Sequence, residues 1–173
     1  MLSASQLAQE WPLQAPHGLN GILTTFGDIF LYLRPDHTLD PRWQAEQVTT
    51  MSLPFPIVLS WDHSRQVTRM TCHERMRPIF TNCFQQIVDA GLQPQITSFG
   101  GCFCFRPQRA GIKLSTHCWG IAIDLNPENN AQGTAGQMHP GIVSIFRNAG
   151  FTWGGDWPGA RCDPMHFQFC SGY

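Results

Sequence analysis

An α+β fold in a single domain is predicted by three features of this 173-residue sequence. Residues 121–125 and 165–169 alternate apolar with small or polar side chains, the period of two that belongs to strands. Residues 76–88 instead place Met76, Phe80, Cys83, Phe84, Ile87 and Val88 on one helical face. No repeat, linker or low-complexity tract divides the chain, so residues 1–173 are read as one domain.

From the beginning, QLAQEW after Ser3 or Ser5 predicts a short helix, followed by a Pro/Gly-rich loop over 12–21. Residues 28–33 (DIFLYL) predict a strand stopped by Pro35. Asp40-Pro41 has the signature of a helix start, an N-cap carboxylate followed by proline at the first helical position. That helix is short and ends before Pro54. Pro54 and Pro56 then precede a second strand over 57–61.

Thr71 and Glu74 have capping-box spacing, but Pro78 conflicts with a helix running straight through, which moves its start to Arg77. Gly91 ends it. A strand over 96–99, the Gly100-Gly101 turn and an arginine-bearing loop lead to the central segment, 113–126. Residues 127–138 are loop. His139-Pro140 opens a helix carrying Ile142, Val143, Phe146 and Ala149, with Gly150 as its stop. The Trp153–Trp157 stretch leads into the last strand.

Composition narrows the function. The 42% hydrophobic share suffices for a core, and 13% charged is low against a usual ~25%. Net charge is −1 and Lys113 is the single lysine, so no basic stripe exists to follow nucleic acid. There is no charged secretory start, and no apolar run approaches the ~18 residues of a membrane span. The expectation is a monomer made in the cytoplasm without a signal peptide, which some other agent must release if its substrate lies outside. Seven cysteines (Cys72, Cys83, Cys102, Cys104, Cys118, Cys162, Cys170) are an odd number for a disulfide framework, and reduced buried thiols are expected.

The chemistry is concentrated in 113–126 and 163–169. In the first, Ile121, Ile123 and Leu125 form a core face, while Gly120, Ala122 and Asp124 form an open floor. In the second, Met165, Phe167 and Phe169 are the apolar face, and His166 and Gln168 the polar one. With the two strands side by side, His117, Asp124 and His166 converge. Two imidazoles and one carboxylate with a position left open are the ligand set of a catalytic zinc. Asp163, three residues before His166 and held by Pro164, is placed to act as general base and then general acid.

Other readings of these residues stand beside that one. Asp124 at a strand end can cap a turn, and Trp119, Trp153 and Trp157 fit core or rim packing before substrate platforms. Arg106 and Arg109 are positioned to hold a carbonyl oxygen or a substrate carboxylate, although two solvated loop arginines is the plainer reading. Cys102, Cys104, Cys118 and Cys162 offer a cysteine-bound zinc or redox alternative.

S-T-H-C-W-G-I-A-I-D (115–124), G-F-T-W-G-G-D-W (150–157) and D-P-M-H-F (163–167) together resemble the M15 family of zinc peptidases. That family comprises D-Ala-D-Ala carboxypeptidases and dipeptidases and the L-alanyl-D-glutamate endopeptidases of phage endolysins, and the order and spacing are most like the endolysin branch. The resemblance spans about 71–170, taken as the peptidase core, with 1–70 as an N-terminal extension packed on it. It implies a compact α+β domain, an antiparallel sheet flanked by helices, shared with Hedgehog domains and DD-peptidases. It further implies one zinc ion on His117, Asp124 and His166, Asp163 as acid/base in place of the family's frequent Glu, and Arg106 rather than Arg109 as the polarising arginine. Ser115 matches the motif serine, Asp156 is the outer-shell carboxylate, and Trp119 and Arg109 are placed near the substrate. The implied substrates are peptidoglycan stem peptides. A non-catalytic zinc-containing binding domain of the same fold is the alternative.

Overall fold

The computed structural model describes residues 13–106 and 113–173. The helix expected over QLAQEW and the position of Arg109 lie outside them. Six strands form one open mixed sheet: β1 (Val48–Leu59), β2 (Asp62–His73), β3 (Phe99–Gly101), β4 (Ala122–Leu125), β5 (Thr152–Trp153) and β6 (His166–Gln168). Their order across the sheet is β2-β1-β3-β4-β6-β5. All neighbours are antiparallel except β1 and β3, which meet in parallel at Leu59 and Phe99. Among the described residues four helices flank it: α1 (Gly18–Phe26), α2 (Pro41–Gln47), α3 (Arg77–Asp89) and α4 (Pro140–Asn148). Among the described residues no helix is long and apolar enough to cross a membrane.

Local chemistry accounts for where the helices begin. Asp40 accepts a hydrogen bond from Arg42 N ahead of Pro41, and His139 Nδ1 accepts from Gly141 N ahead of Pro140. Helix α3 starts at Arg77, with Pro78 in the first turn where its missing N–H costs nothing. Its buried face is Ile79, Phe80, Cys83, Phe84 and Ile87, with Met76 just before it. Val88 is only half-buried. Phe146 of α4 stacks on Phe167 of β6 at 4.6 Å, and Phe151 meets Phe169 at 5.3 Å, so aromatic rings back the strand carrying His166.

Several expected strands change. Residues 28–33 hold a 3-10 turn, Ile29–Tyr32, because Asp28 accepts from Phe30 N at 3.0 Å and closes the chain locally. The run had no alternation to hold it extended: Ile29 is buried while Leu31 is 77% exposed. The strand placed over 57–61 ends at Leu59 and begins at Val48, running through Pro54 and Pro56. Those prolines sit where the β1–β2 register shifts, between Ser52 and Ile57, and so remove no ladder donor. Its partner β2 was not foreseen, being mostly polar and exposed. Of 96–99, only Phe99 enters a strand. The β1–β2 hairpin crosses the boundary drawn at residue 70 and continues the same sheet as the later strands.

His73 locks this hairpin to the helical layer. Its Nε2 donates to Phe26 O at 2.9 Å and its Nδ1 accepts from Arg75 N at 3.1 Å. Both nitrogens are thus committed in the neutral ring, which is almost fully buried against Phe26 and Trp43. Burial chiefly pulls its pKa down from 6.5 to about 4. Between those values the unfolded chain takes up a proton that the folded chain refuses, so stability falls as pH drops through this window. The full effect is about 3 kcal/mol. Urea unfolding from pH 7 to 4 should therefore show a falling midpoint, and His73→Gln should be less stable at pH 7 by a margin that shrinks toward pH 4.

Candidate metal centre

Strands β4 and β6 pair so that Asp124 faces His166 and Ala122 faces Gln168. Asp124, His166 and Gln168 therefore share one face, two by register and the third by the strand's period of two. His117 reaches this face differently from the strand position read in the sequence. It lies in a 3-10 turn, Thr116–Trp119, capped by Ser115 Oγ, which accepts from His117 N at 3.3 Å. Gly120 then turns the chain with φ +68°, and a Cβ there would stand 2.6 Å from His73 N. Its smallness lets the turn close against β2; it does not make an open floor. Gly100 has a similar task, since a Cβ on it would lie 2.8 Å from Asp124 Cβ.

Three ligand-type atoms converge as a result. His166 Nδ1 is 2.9 Å and His117 Nε2 3.2 Å from Asp124 Oδ1, and the two nitrogens are 3.2 Å apart. All three residues are buried. The outer nitrogens have acceptor partners. His117 Nδ1 is 2.6 Å from the carbonyl oxygen of Cys102 and must donate to it. His166 Nε2 is 3.1 Å from Gln168 Oε1, which also accepts from Thr116 Oγ1 at 3.3 Å. With the ring protons outside, both inner nitrogens present lone pairs toward a carboxylate. Such a centre calls for positive charge at its middle, and outer-nitrogen pinning of this kind is how metal-binding histidines are oriented.

The electrostatics agree. For Asp124, burial works to raise the pKa, but protonation of His117 and then of His166, which turns the inner nitrogens from lone-pair bearers into charged donors, outweighs it and holds the carboxyl well below its usual range. For His166, burial works to lower the pKa, but Asp124 and then the charge of Asp163 outweigh it and raise it. Arg106 brings a permanent cation, its Nη2 3.8 Å from Asp124 Oδ2.

The centre opens into a cleft of about 280 Å³ lined by Arg106, Ser115, Asp124, Asp163 and His166 among the residues singled out in the sequence. Asp163 is held at the mouth by backbone bonds from its N to Gly154 O (2.8 Å) and from His166 N to its O (3.0 Å). A Cβ on Gly154 would lie 2.4 Å from that oxygen, so glycine is required for the approach. Two residues placed near the site lie elsewhere. Trp119 is buried in the core, donating through Nε1 to Gly27 O at 3.1 Å. Asp156 is half-exposed and paired with Arg147 of α4. Gln168, Thr116, Lys113, Trp157 and Arg161 line the cleft without having been assigned roles. Gln168 alone carried a readable signal, two residues from His166 on the same strand face.

The cysteine alternative lacks a cluster. Cys118 Sγ donates to Arg106 O and Cys162 Sγ to Thr134 O, while Cys104 is exposed. Burial foremost pushes the Cys118 thiol up to about 11, so it stays protonated at neutral pH. Among the described residues the one group of three metal-type donors in mutual reach is His117, Asp124 and His166.

Residues 109–169, which contain all three donors and Asp163, match the M15 peptidase family model described as D-alanyl-D-alanine carboxypeptidase. Nothing matches among the curated proteins or the solved structures. The donor geometry and the family match fall on the same residues.

Proposed function

We propose that this protein is a zinc-dependent peptidase that hydrolyses peptide bonds in the stem peptides of bacterial peptidoglycan, as an endopeptidase or a D,D-carboxypeptidase. The observation that carries the reading is the pinning of both outer imidazole nitrogens by acceptor oxygens beside a buried carboxylate, because it commits three lone-pair donors to one point. His117 Nε2, His166 Nδ1 and Asp124 would hold the ion. Bound there, zinc supplies Lewis acidity and acidifies water toward neutral pH.

Asp163 moves the proton. It lies in the same cleft as Asp124 and His166, and its carboxylate takes the proton of the attacking water as the new C–O bond forms. It returns that proton to the amine nitrogen as the C–N bond breaks. Arg106 steadies the carboxylate of Asp124 and offers its guanidinium to the carbonyl oxygen as charge builds there. Trp157, its ring centre 5.5 Å from that of His166, walls the cleft on the side of the ligand.

Asp163→Ala should retain one equivalent of zinc and lose at least about a hundredfold in cleavage of purified sacculi, read by mass spectrometry of the released muropeptides. Unchanged turnover would remove Asp163 from the mechanism. Zinc bound at unit stoichiometry by the wild type with no muropeptide cleaved would favour the non-catalytic binding domain. Gln168→Ala, which frees the outer nitrogen of His166, should weaken zinc affinity about tenfold or more in competition with a chromophoric chelator.

A further inference from the structure

The cleft carries more positive charge than the proposed chemistry uses. Its lining includes three cations, Arg106, Lys113 and Arg161, against two carboxylates, Asp124 and Asp163. Arg106 is engaged with Asp124. Lys113 and Arg161 form no ion pair among the described residues. Lys113, moreover, is not a loose surface lysine. Its ammonium lies 5.5 Å from the ring centre of Tyr173. That ring is buttressed edge-on by the buried Trp119, at 6.0 Å, and its hydroxyl donates to Leu114 O at 2.9 Å. Burial chiefly pushes the Tyr173 hydroxyl up to about 12, so it remains a neutral donor.

A cation braced on an aromatic face keeps its three N–H donors for another partner, since the ring neutralises no charge. Lys113 lies in the chain just before Ser115 and Thr116, which line the same wall. The ammonium is thus presented to whatever occupies the cleft. A peptide supplies an anion of matching kind only as a carboxylate, either at its chain end or on an acidic residue.

We propose that Lys113 forms a subsite for a free carboxylate of the peptide substrate, with Arg161 adding positive potential on the same cleft. This assignment rests on reading the cleft as a peptide site. It makes Lys113 a specificity-determining residue rather than a catalytic one: it acts on binding, away from the proton chemistry.

The test is binding of synthetic stem peptides containing L-alanyl-D-glutamate to the full, zinc-loaded chain carrying Asp163→Ala, followed by calorimetry. Three peptides are compared: all carboxylates free, the terminal carboxylate amidated, and the glutamate's free carboxylate amidated. Adding Lys113→Met should weaken the fully ionised peptide about tenfold or more. It should leave unaffected the amidated peptide that lacks the recognised group, and which peptide that is tells the chain end from the acidic residue. Lys113→Arg should restore most of the affinity. Equal weakening of all three peptides, no change in any, or no binding of the ionised peptide would each overturn the proposal. Cleavage by the wild type is scored separately: binding that depends on Lys113, without hydrolysis, would overturn the peptidase reading and leave the subsite standing.

Discussion

Asp124 and His166 face each other across β4 and β6, and this pairing constrains everything around it. A carboxylate only 7% exposed cannot stay ionised unless neighbouring groups replace the water it has lost. Here two imidazoles and, at longer reach, one guanidinium do so. Taking away one partner of a buried charge costs about 3–5 kcal/mol in proteins generally, which indicates how strongly the three elements are tied together at this point. The same cluster of candidate metal donors is therefore also a fold constraint. It joins the turn after residue 113 to two interior strands.

That tie depends on backbone approaches that only glycine permits. Gly100 brings β3 against Asp124, Gly120 folds the His117 turn onto β2, and Gly154 admits the Asp163 segment. Behind β6, the Phe146–Phe167 stack fixes the strand from its apolar side, so the alternation of Met165, Phe167 and Phe169 with His166 and Gln168 becomes a division between core and cleft.

The sequence was most readable where a periodic pattern and a local cap agreed. Helix α3 beginning at Arg77 and α4 opening at His139-Pro140 follow from proline placement and apolar spacing, which are local rules. The two strand segments were readable through their alternation. The β1–β2 hairpin was readable only at the end of β1, where an apolar run falls within 57–61; two prolines hide the rest of β1, and β2 is mostly polar, so it takes the pairing to make them strands. The 28–33 run was misread because an Asx turn at Asp28 overrides its apolar composition. At the site, the grouping of His117, Asp124 and His166 was visible as spacing, whereas the contact of Lys113 with Tyr173 joins residues sixty apart and no local pattern announces it.

The proposed zinc ion is held by two imidazoles and a carboxylate, with no sulfur. X-ray absorption at the zinc edge of the loaded protein tests this most directly. Nitrogen and oxygen neighbours at about 2.0–2.2 Å are expected, with imidazole scattering beyond them and no shell at about 2.3 Å. A sulfur shell at that longer distance would place the metal on the cysteines and rule out the His117, Asp124 and His166 site.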